Sequence, residues 1–124
     1  MTEKSVLDKL YVKNAATIAI MDAEPENAAL TDLLPPQKLV ADGPADLILL
    51  FARSQAALEA RLPAARGRLA PRGALWVAYV KGTSPRRGDL HRDTIRTFAG
   101  TIGLDSVAMI AIDEHWSALR LKAV

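Results

Sequence analysis

Residues 74–93, ALWVAYVKGTSPRRGDLHRD, combine an apolar strand, a polar loop and the start of a helix. Residues 74–80 carry no charge and are rich in β-branched and aromatic side chains, as expected of a strand that is covered on both faces in a parallel sheet. Asp89 is the predicted N-cap of the following helix, because its carboxylate can accept the amide hydrogens of the first turn. The order of strand, loop and helix predicts an α/β fold.

The loop after this strand has the composition of an anion site. Its polar, basic or small residues are Lys81, Gly82, Thr83, Ser84, Arg86 and Arg87. Cations, hydroxyls and a helix N-terminus can together hold an anion. The loop is not a Walker loop, because the GxxxxGK[ST] order is absent. A solvated loop whose charges aid solubility is the alternative, and both interpretations stay open.

Length and composition predict one α/β domain over residues 1–124. Half of the side chains are hydrophobic and 24% are charged, which suits a soluble domain with one core. The absence of cysteine excludes disulfides, thiol catalysis and cysteine-based zinc sites. No signal-peptide core and no membrane-length apolar run occurs, so we expect a cytoplasmic protein without membrane contact.

The net charge of +2 conceals an asymmetry between the two halves of the chain. Residues 1–60 carry five Lys or Arg and nine Asp or Glu, giving −4, whereas residues 61–124 carry eleven and five, giving +6. A basic half can attract a phosphorylated ligand, and a dipolar molecule can pair with a second copy. The basic residues are spread over several predicted elements with few aromatics, which argues against specific nucleic-acid binding. An anionic small molecule and a homodimer remain open as partners.

The remaining segments alternate between strand and helix patterns. Strands are predicted at residues 17–21, 37–41 (weakly), 46–52, 106–112 and 116–123. Helices are predicted at residues 5–12, at 28–34, from the N-cap Ser54 onward, and from Asp89 to Gly103.

Three further details follow from individual residues. In the first helix, Leu7, Leu10 and Tyr11 should face inward, and Pro63 should kink or split the helix that begins at Ser54. The short link at residues 113–115 predicts an antiparallel C-terminal hairpin. With right-handed crossovers, the alternation predicts a three-layer sandwich around a mostly parallel sheet.

A candidate site follows from the rule that open α/β sheets bind ligands beyond the carboxyl ends of their strands. The candidate ligand-binding residues at those ends are Asp22, Arg53, Lys81, Gly82, Thr83, Ser84, Arg87 and His115. His115 could perform acid–base chemistry if Asp113 or Glu114 orients its ring. No catalytic residue is assigned, and no metal site is predicted, because the spacing around His115 matches no ligand motif.

The order ADLILLF, helix, LAPRGALWVAYV, helix, DSVAMIAI and WSALRLKA resembles the second half of a class I S-adenosylmethionine-dependent methyltransferase, which has a Rossmann-like fold. In that family a turn such as LxPGG precedes the fifth strand, and residues 69–73, LAPRG, stand at that place. The chain is also similar to small uncharacterised bacterial proteins with the same Lys-Gly-Thr-Ser loop and final Trp-Ser-Ala-Leu-Arg. The resemblance extends from about Lys9 to the end of the chain.

The chain departs from this family at the cofactor loop. The family's GxGxG after the first strand is replaced by DAEPENA, residues 22–28, and the chain is one strand–helix unit short. Glycines at such a bend allow the backbone to approach a cofactor. The resemblance therefore implies a scaffold that has lost most of its methyl-donor site, with only Asp22 near a position that the family uses.

Three hypotheses follow. The first is a catalytically degenerate domain, without a cofactor, that binds an anionic small ligand or a protein partner at the carboxyl edge. The second is a minimal S-adenosylmethionine-dependent methyltransferase. The third is a self-association module that uses the last strand or the Ala-rich helix.

Overall fold

The computed structural model of the chain describes residues 6–82, 84–85 and 88–123. Its strands are β1 (Ile18–Met21), β2 (Ala45–Phe51), β3 (Leu69–Val80), β4 (Leu104–Ala111) and β5 (Trp116–Ala123). Its α-helices are α1 (Val6–Lys9), α2 (Ala28–Thr31), α3 (Gln55–Arg68) and α4 (Arg92–Thr101). None of the helices in these ranges has the length and hydropathy needed to cross a bilayer.

The strands form one mixed sheet in the order β1-β2-β3-β5-β4. β1, β2 and β3 run parallel, whereas β5 is antiparallel to both of its neighbours. The α/β class and the antiparallel hairpin are confirmed, but the sheet is only partly parallel. The difference arises because β5 inserts between β3 and β4, so the hairpin contributes two antiparallel pairings instead of one.

Both faces of the sheet are covered by apolar side chains. On one face, α3 and α4 pack their buried residues against the sheet, including Leu58 and Ile95. On the other face, Leu10, which follows α1, and Leu30 of α2 belong to the same buried cluster as the fully buried Trp76. The residues of β3 from position 74 onward are all apolar because both faces of this strand are buried. The three-layer arrangement stays a prediction, because α1 and α2 are only four residues long.

Several local predictions hold, and others shift at their boundaries. Ser54 is the N-cap of α3, and its Oγ accepts a hydrogen bond of 3.1 Å from the Ala57 amide. The predicted split at Pro63 is wrong, because α3 continues through it as one helix and the proline removes only one backbone hydrogen bond. The weak strand at 37–41 shrinks to a single bridge between Leu39 and Ile18, next to a short 3-10 helix.

Two predictions about individual side chains are wrong. Asp89 does not cap α4, because the N-cap of that helix is His91. The Oδ1 of Asp89 accepts instead a hydrogen bond of 2.8 Å from the amide of Gln55, in the first turn of α3. Tyr11 does not face inward but is 47% exposed and has the left-handed φ of 61°. In both cases the tertiary neighbours differ from those that the local pattern suggested. The predicted start of the first helix at Ser5 lies outside the described residues.

Candidate ligand site at the carboxyl edge of the sheet

The residues that follow the parallel strands lie at one edge of the sheet. Asp22 comes directly after β1, Arg53 follows the end of β2, and Lys81 follows β3. β5 begins at the same edge with Trp116, because it runs antiparallel to β3 and its first residue pairs with Val80. We call this border, where the parallel strands end, the carboxyl edge.

The bend after β1 turns sharply although it contains no glycine. Asp22 adopts φ 60°, in the left-handed region that glycine normally occupies. Asp and Asn are the side chains that tolerate this conformation best. The Asp22 carboxylate accepts a hydrogen bond of 2.8 Å from Arg61 Nε on α3. The bend therefore adopts a glycine-like conformation although residues 22–28 contain no glycine.

Arg53 is the centre of a charged and aromatic network. Its guanidinium forms ion pairs with Glu24 and Glu26, and its Cζ lies 5.5 Å from the centroid of the Trp116 ring. Trp116 donates its Nε1 hydrogen to Glu26 Oε2 at 3.0 Å. Phe51 packs edge-on against the same indole, with 5.7 Å between the ring centroids. These contacts hold the bend after β1 against the start of β5.

A cleft of about 220 Å³ opens beside this network. Its lining residues are Asp22, Glu24, Phe51, Arg53, Ala57 and Trp116. They present carboxylates, a guanidinium and aromatic surface in one place. Pockets for small-molecule cofactors usually measure roughly 300–1,000 Å³, so in the conformation described this cleft has room for only part of such a molecule.

A second group of polar side chains surrounds His115. The Oγ of Ser84 lies 2.8 Å from His115 Nδ1, and Glu114 Oε1 lies 3.3 Å from His115 Nε2. Asp113 accepts hydrogen bonds from the backbone amides of His115 and Trp116, at 2.8 Å each. Asp113 therefore shapes the hairpin, whereas Ser84 and Glu114 contact the imidazole.

Ser84 is suited to positioning the imidazole of His115. The residue is only 2% exposed, so its hydroxyl is not available to attack a substrate. Lys81 reaches the same group through its backbone, since its amide donates to the His115 carbonyl at 2.8 Å. Gly82 has open space around it and makes no close backbone approach. Thr83 and Arg87 lie outside the described residues.

The candidate residues thus form two neighbouring groups. Asp22 and Arg53 belong to the cleft, while Lys81, Ser84 and His115 belong to the loop and hairpin, and the peptide bond between His115 and Trp116 joins the two. Sequence reasoning missed Glu26 and Trp116 as parts of the site. The sequence signal that could have indicated them is the tryptophan itself, because the N–H of a buried indole needs a hydrogen-bond acceptor nearby. Within the described ranges, no group of three or more His, Asp or Glu side chains is arranged to hold a metal ion.

Comparison with known proteins places the fold. No protein-family model and no curated protein sequence matches the chain. Among solved structures, the tRNA methyltransferase TrmK of B. subtilis covers the whole chain with a TM-score of 0.58, at 15% identity and over 68% of its own length. The fold is methyltransferase-like.

Two other solved structures carry the same fold together with a form of the cofactor. Magnesium protoporphyrin IX methyltransferase of Synechocystis PCC 6803, with bound SAH, matches 96% of this chain and 80% of its own, with a TM-score of 0.64 and 8% identity. The DhpI–SAH complex matches 95% of this chain and 71% of its own, with a TM-score of 0.58 and 11% identity. At these identities the match establishes the methyltransferase-like Rossmann fold.

These matches correct the expectation that the chain has no cofactor. That expectation rested on the missing glycines, and it is wrong because the solved structures that share the fold include complexes with SAH and with SAM. The physical point is that the bend after β1 turns through the left-handed conformation of Asp22, so the absence of glycine does not prevent a tight turn there. The comparisons give no support to the catalytically degenerate anion-binding domain and favour the methyltransferase alternative.

Proposed function

We propose that this chain is a small S-adenosylmethionine-dependent methyltransferase that binds its cofactor at the carboxyl edge, in the cleft beside Asp22, Arg53 and Trp116. The observation that carries the proposal is the match of 96% of the chain to a methyltransferase fold solved with bound SAH. The position of the cleft supports it, because ligands of open α/β sheets bind at this edge.

The chemistry of the cleft fits the functional groups of the cofactor. The carboxylates of Asp22 and Glu24 can accept hydrogen bonds from ribose hydroxyls, and the guanidinium of Arg53 can pair with the amino-acid carboxylate. The rings of Phe51 and Trp116 are buried in the cleft wall, with Arg53 over the indole, so a turn of Arg53 would uncover aromatic surface for the adenine base. An aromatic face also attracts a positive sulfonium.

Arg53 controls how much of the cleft is accessible. It lines the cleft while its charge is taken up by Glu24 and Glu26. A cofactor carboxylate would compete with these two glutamates for the guanidinium. Because about 220 Å³ is less than a complete cofactor needs, we expect Arg53 to change its rotamer when the cofactor binds.

The hairpin supplies a candidate for handling the acceptor. When bound, S-adenosylmethionine supplies a methyl carbon that an acceptor lone pair can attack as the bond to sulfur breaks. An acceptor hydroxyl or amine must then lose a proton. His115 directly precedes Trp116 in the cleft wall, and its imidazole is held by Ser84 on Nδ1 and contacted by Glu114 at Nε2. We assign His115 as the proton acceptor through Nε2, which becomes accessible when the exposed side chain of Glu114 turns away, while the Nδ1 hydrogen is donated to Ser84.

Calorimetric titration with S-adenosylmethionine and SAH tests the proposal. The parent protein should show saturable binding, and Asp22→Ala should weaken it by about tenfold, the effect of one lost hydrogen bond to a charged group. Asp32→Ala is the matched control, since Asp32 is exposed and lies outside the cleft. The absence of saturable binding by either compound would rule the proposal out.

A further inference from the structure

Four cationic side chains line a groove at the opposite border of the sheet, where the parallel strands begin. They come from the end of α3 (Arg66), the start of β3 (Arg72) and the end of β5 (Arg120 and Lys122). Two clefts, of about 460 Å³ and about 440 Å³, share Arg72, Arg120 and Pro71. We call this continuous surface the amino-edge groove.

The cations of the amino-edge groove are not neutralised by carboxylates. Within the part of the chain that the structure describes, Arg66, Arg72, Arg120 and Lys122 form no ion pair. The Nε of Arg120 is buried and has no hydrogen-bond acceptor. A buried guanidinium donor without an acceptor is costly, and it shows that the charge of Arg120 is not compensated by the described part of the protein.

Arg72 is held in the groove by an unfavourable backbone conformation. Its φ of 65° is left-handed, which arginine rarely adopts, and the next residue is the glycine that the turn needs for space. A Cβ at Gly73 would lie 2.8 Å from the Asp46 carbonyl oxygen. Backbone strain of this kind concentrates at binding sites, where it fixes a side chain before the ligand arrives.

Arg120 is also oriented in advance. Its Cζ lies 5.3 Å from the centroid of the Tyr11 ring, a cation–π contact that keeps the guanidinium beside the groove. Among the described residues that line the groove, Asp46 is the one with an acidic side chain, and its Oδ2 accepts from the Ala16 amide at 3.0 Å. On the neighbouring strand, Asp105 stands opposite Lys122. The three arginines therefore leave the groove positively charged.

We propose that the amino-edge groove binds a ligand that carries two or more phosphate groups. Arginine suits phosphate because its planar guanidinium can donate two parallel hydrogen bonds. One cleft contains Arg72 and Arg120, and the other adds Arg66 and Lys122, so two phosphates can be contacted along the groove. This site is separate from the proposed cofactor cleft and does not depend on it.

Titrations with inorganic tripolyphosphate and with a short single-stranded RNA test the proposal at several salt concentrations. We expect binding that weakens as salt rises. Arg72→Gly and Arg120→Gln should each lower the affinity by about tenfold. Arg96→Ala is the control, because it removes one positive charge from the exposed surface of α4 and should change the affinity less than about twofold.

The variants separate a built site from general charge attraction. Arg72→Gly relieves the strained backbone, so its weaker binding cannot be attributed to unfolding. Binding of both probes supports phosphate recognition as such, tripolyphosphate alone indicates a small polyphosphate ligand, and RNA alone indicates a nucleic-acid backbone. Failure of both probes to bind, or an equal loss in Arg72→Gly and Arg96→Ala, would overturn the proposal.

Discussion

The two edges of the sheet use arginine in opposite ways. At the carboxyl edge, Arg53 is paired with Glu24 and Glu26, and Arg61 is paired with Asp22. In the amino-edge groove, the arginines have no carboxylate partner within the described residues. The net charge of the sequence counts all of these arginines equally, whether or not a carboxylate is paired with them. Only those whose charge is not already compensated provide a strong attraction for an anion.

This contrast changes where an anion is expected. The sequence pointed to the loop at residues 81–87, of which residues 83, 86 and 87 lie outside the described part of the chain. Among the described residues, a concentration of cations without an ion pair lies at the other end of β3. Arg72 and Arg120 are far apart in the chain but meet because β5 runs antiparallel to β3. The carboxyl edge, in contrast, offers carboxylates, aromatic surface and one partly neutralised guanidinium. It is better suited to a cofactor of mixed polarity.

The largest expected effect comes from Trp116→Ala, which removes the centre of the carboxyl edge. Trp116 is 2% exposed and contacts Phe51, Glu26 and Arg53. The free energy of unfolding should fall by about 3–5 kcal/mol, as for other buried aromatic truncations. Urea denaturation measures it. If the two edges are independent, the folded variant should keep its tripolyphosphate affinity. A loss below about 1 kcal/mol would show that the indole is not a core residue.

A smaller destabilisation is expected at the amino edge from Gly73→Ala. The new Cβ would lie 2.8 Å from the Asp46 carbonyl oxygen and 2.9 Å from that of Ala70. Backbone must move to relieve these contacts, at a cost of about 1–3 kcal/mol in urea denaturation. Gly67→Ala in α3 is the control, since nothing lies within 4 Å of its Cβ. It should stabilise the protein by up to about 1 kcal/mol.

Arg72→Gly should raise stability slightly, in contrast to Gly73→Ala beside it. The left-handed conformation of a non-glycine residue costs roughly 1–2 kcal/mol, and the greater freedom of glycine in the unfolded chain offsets about 0.4–1 kcal/mol of that gain. Thermal unfolding should show a net gain of about 0.5–1 kcal/mol. Arg72→Ala removes the guanidinium but keeps the strain, so it should not share this gain. Equal stabilities of the two variants would contradict the strain at Arg72.

The smallest effect is a change in alkaline stability at Tyr79, near the carboxyl end of β3. Burial raises the pKa of the Tyr79 phenol; nearby Arg92 opposes this shift and Asp93 adds to it. As the pH rises, the phenol of Tyr79 therefore ionises in the unfolded chain before it ionises in the folded protein. The contribution of Tyr79 to the free energy of unfolding is fully present below about pH 10 and is lost as the pH rises toward the folded pKa. Tyr79→Phe should remove this part of the fall in urea titrations. At neutral pH it should cost less than about 1 kcal/mol, because the hydroxyl donates to Met109 Sδ, which is a weak acceptor. If the dependence of stability on alkaline pH were the same in Tyr79→Phe as in the parent protein, the raised pKa of Tyr79 would be contradicted.

Much of the fold could be predicted because its signals are local. The apolar run at residues 74–80, the Ser54 cap and the C-terminal hairpin each follow from residues adjacent in the chain. The candidate site could be predicted in part for a related reason. The carboxyl ends of parallel strands share an edge, and this brought Asp22 and Arg53 to one cleft.

Other features could not be predicted because they depend on which distant elements meet. Asp89 has the local pattern of a cap for α4, yet its carboxylate reaches the first turn of α3. Asp22 takes a left-handed backbone conformation in a bend without glycine, which no composition pattern reports. The partners of Arg53 and the isolation of Arg120 depend equally on packing.

The amino-acid order alone established the α/β class, the principal strands and helices and the polar residues that follow the strands. Those properties arise from interactions between near neighbours and from the tendency of apolar segments to be buried. The insertion of β5 between β3 and β4, and with it the meeting of Arg72 and Arg120, was settled only by the assembled sheet. Strand pairing is a long-range interaction whose free energy depends on all of the surfaces that the complete fold buries together.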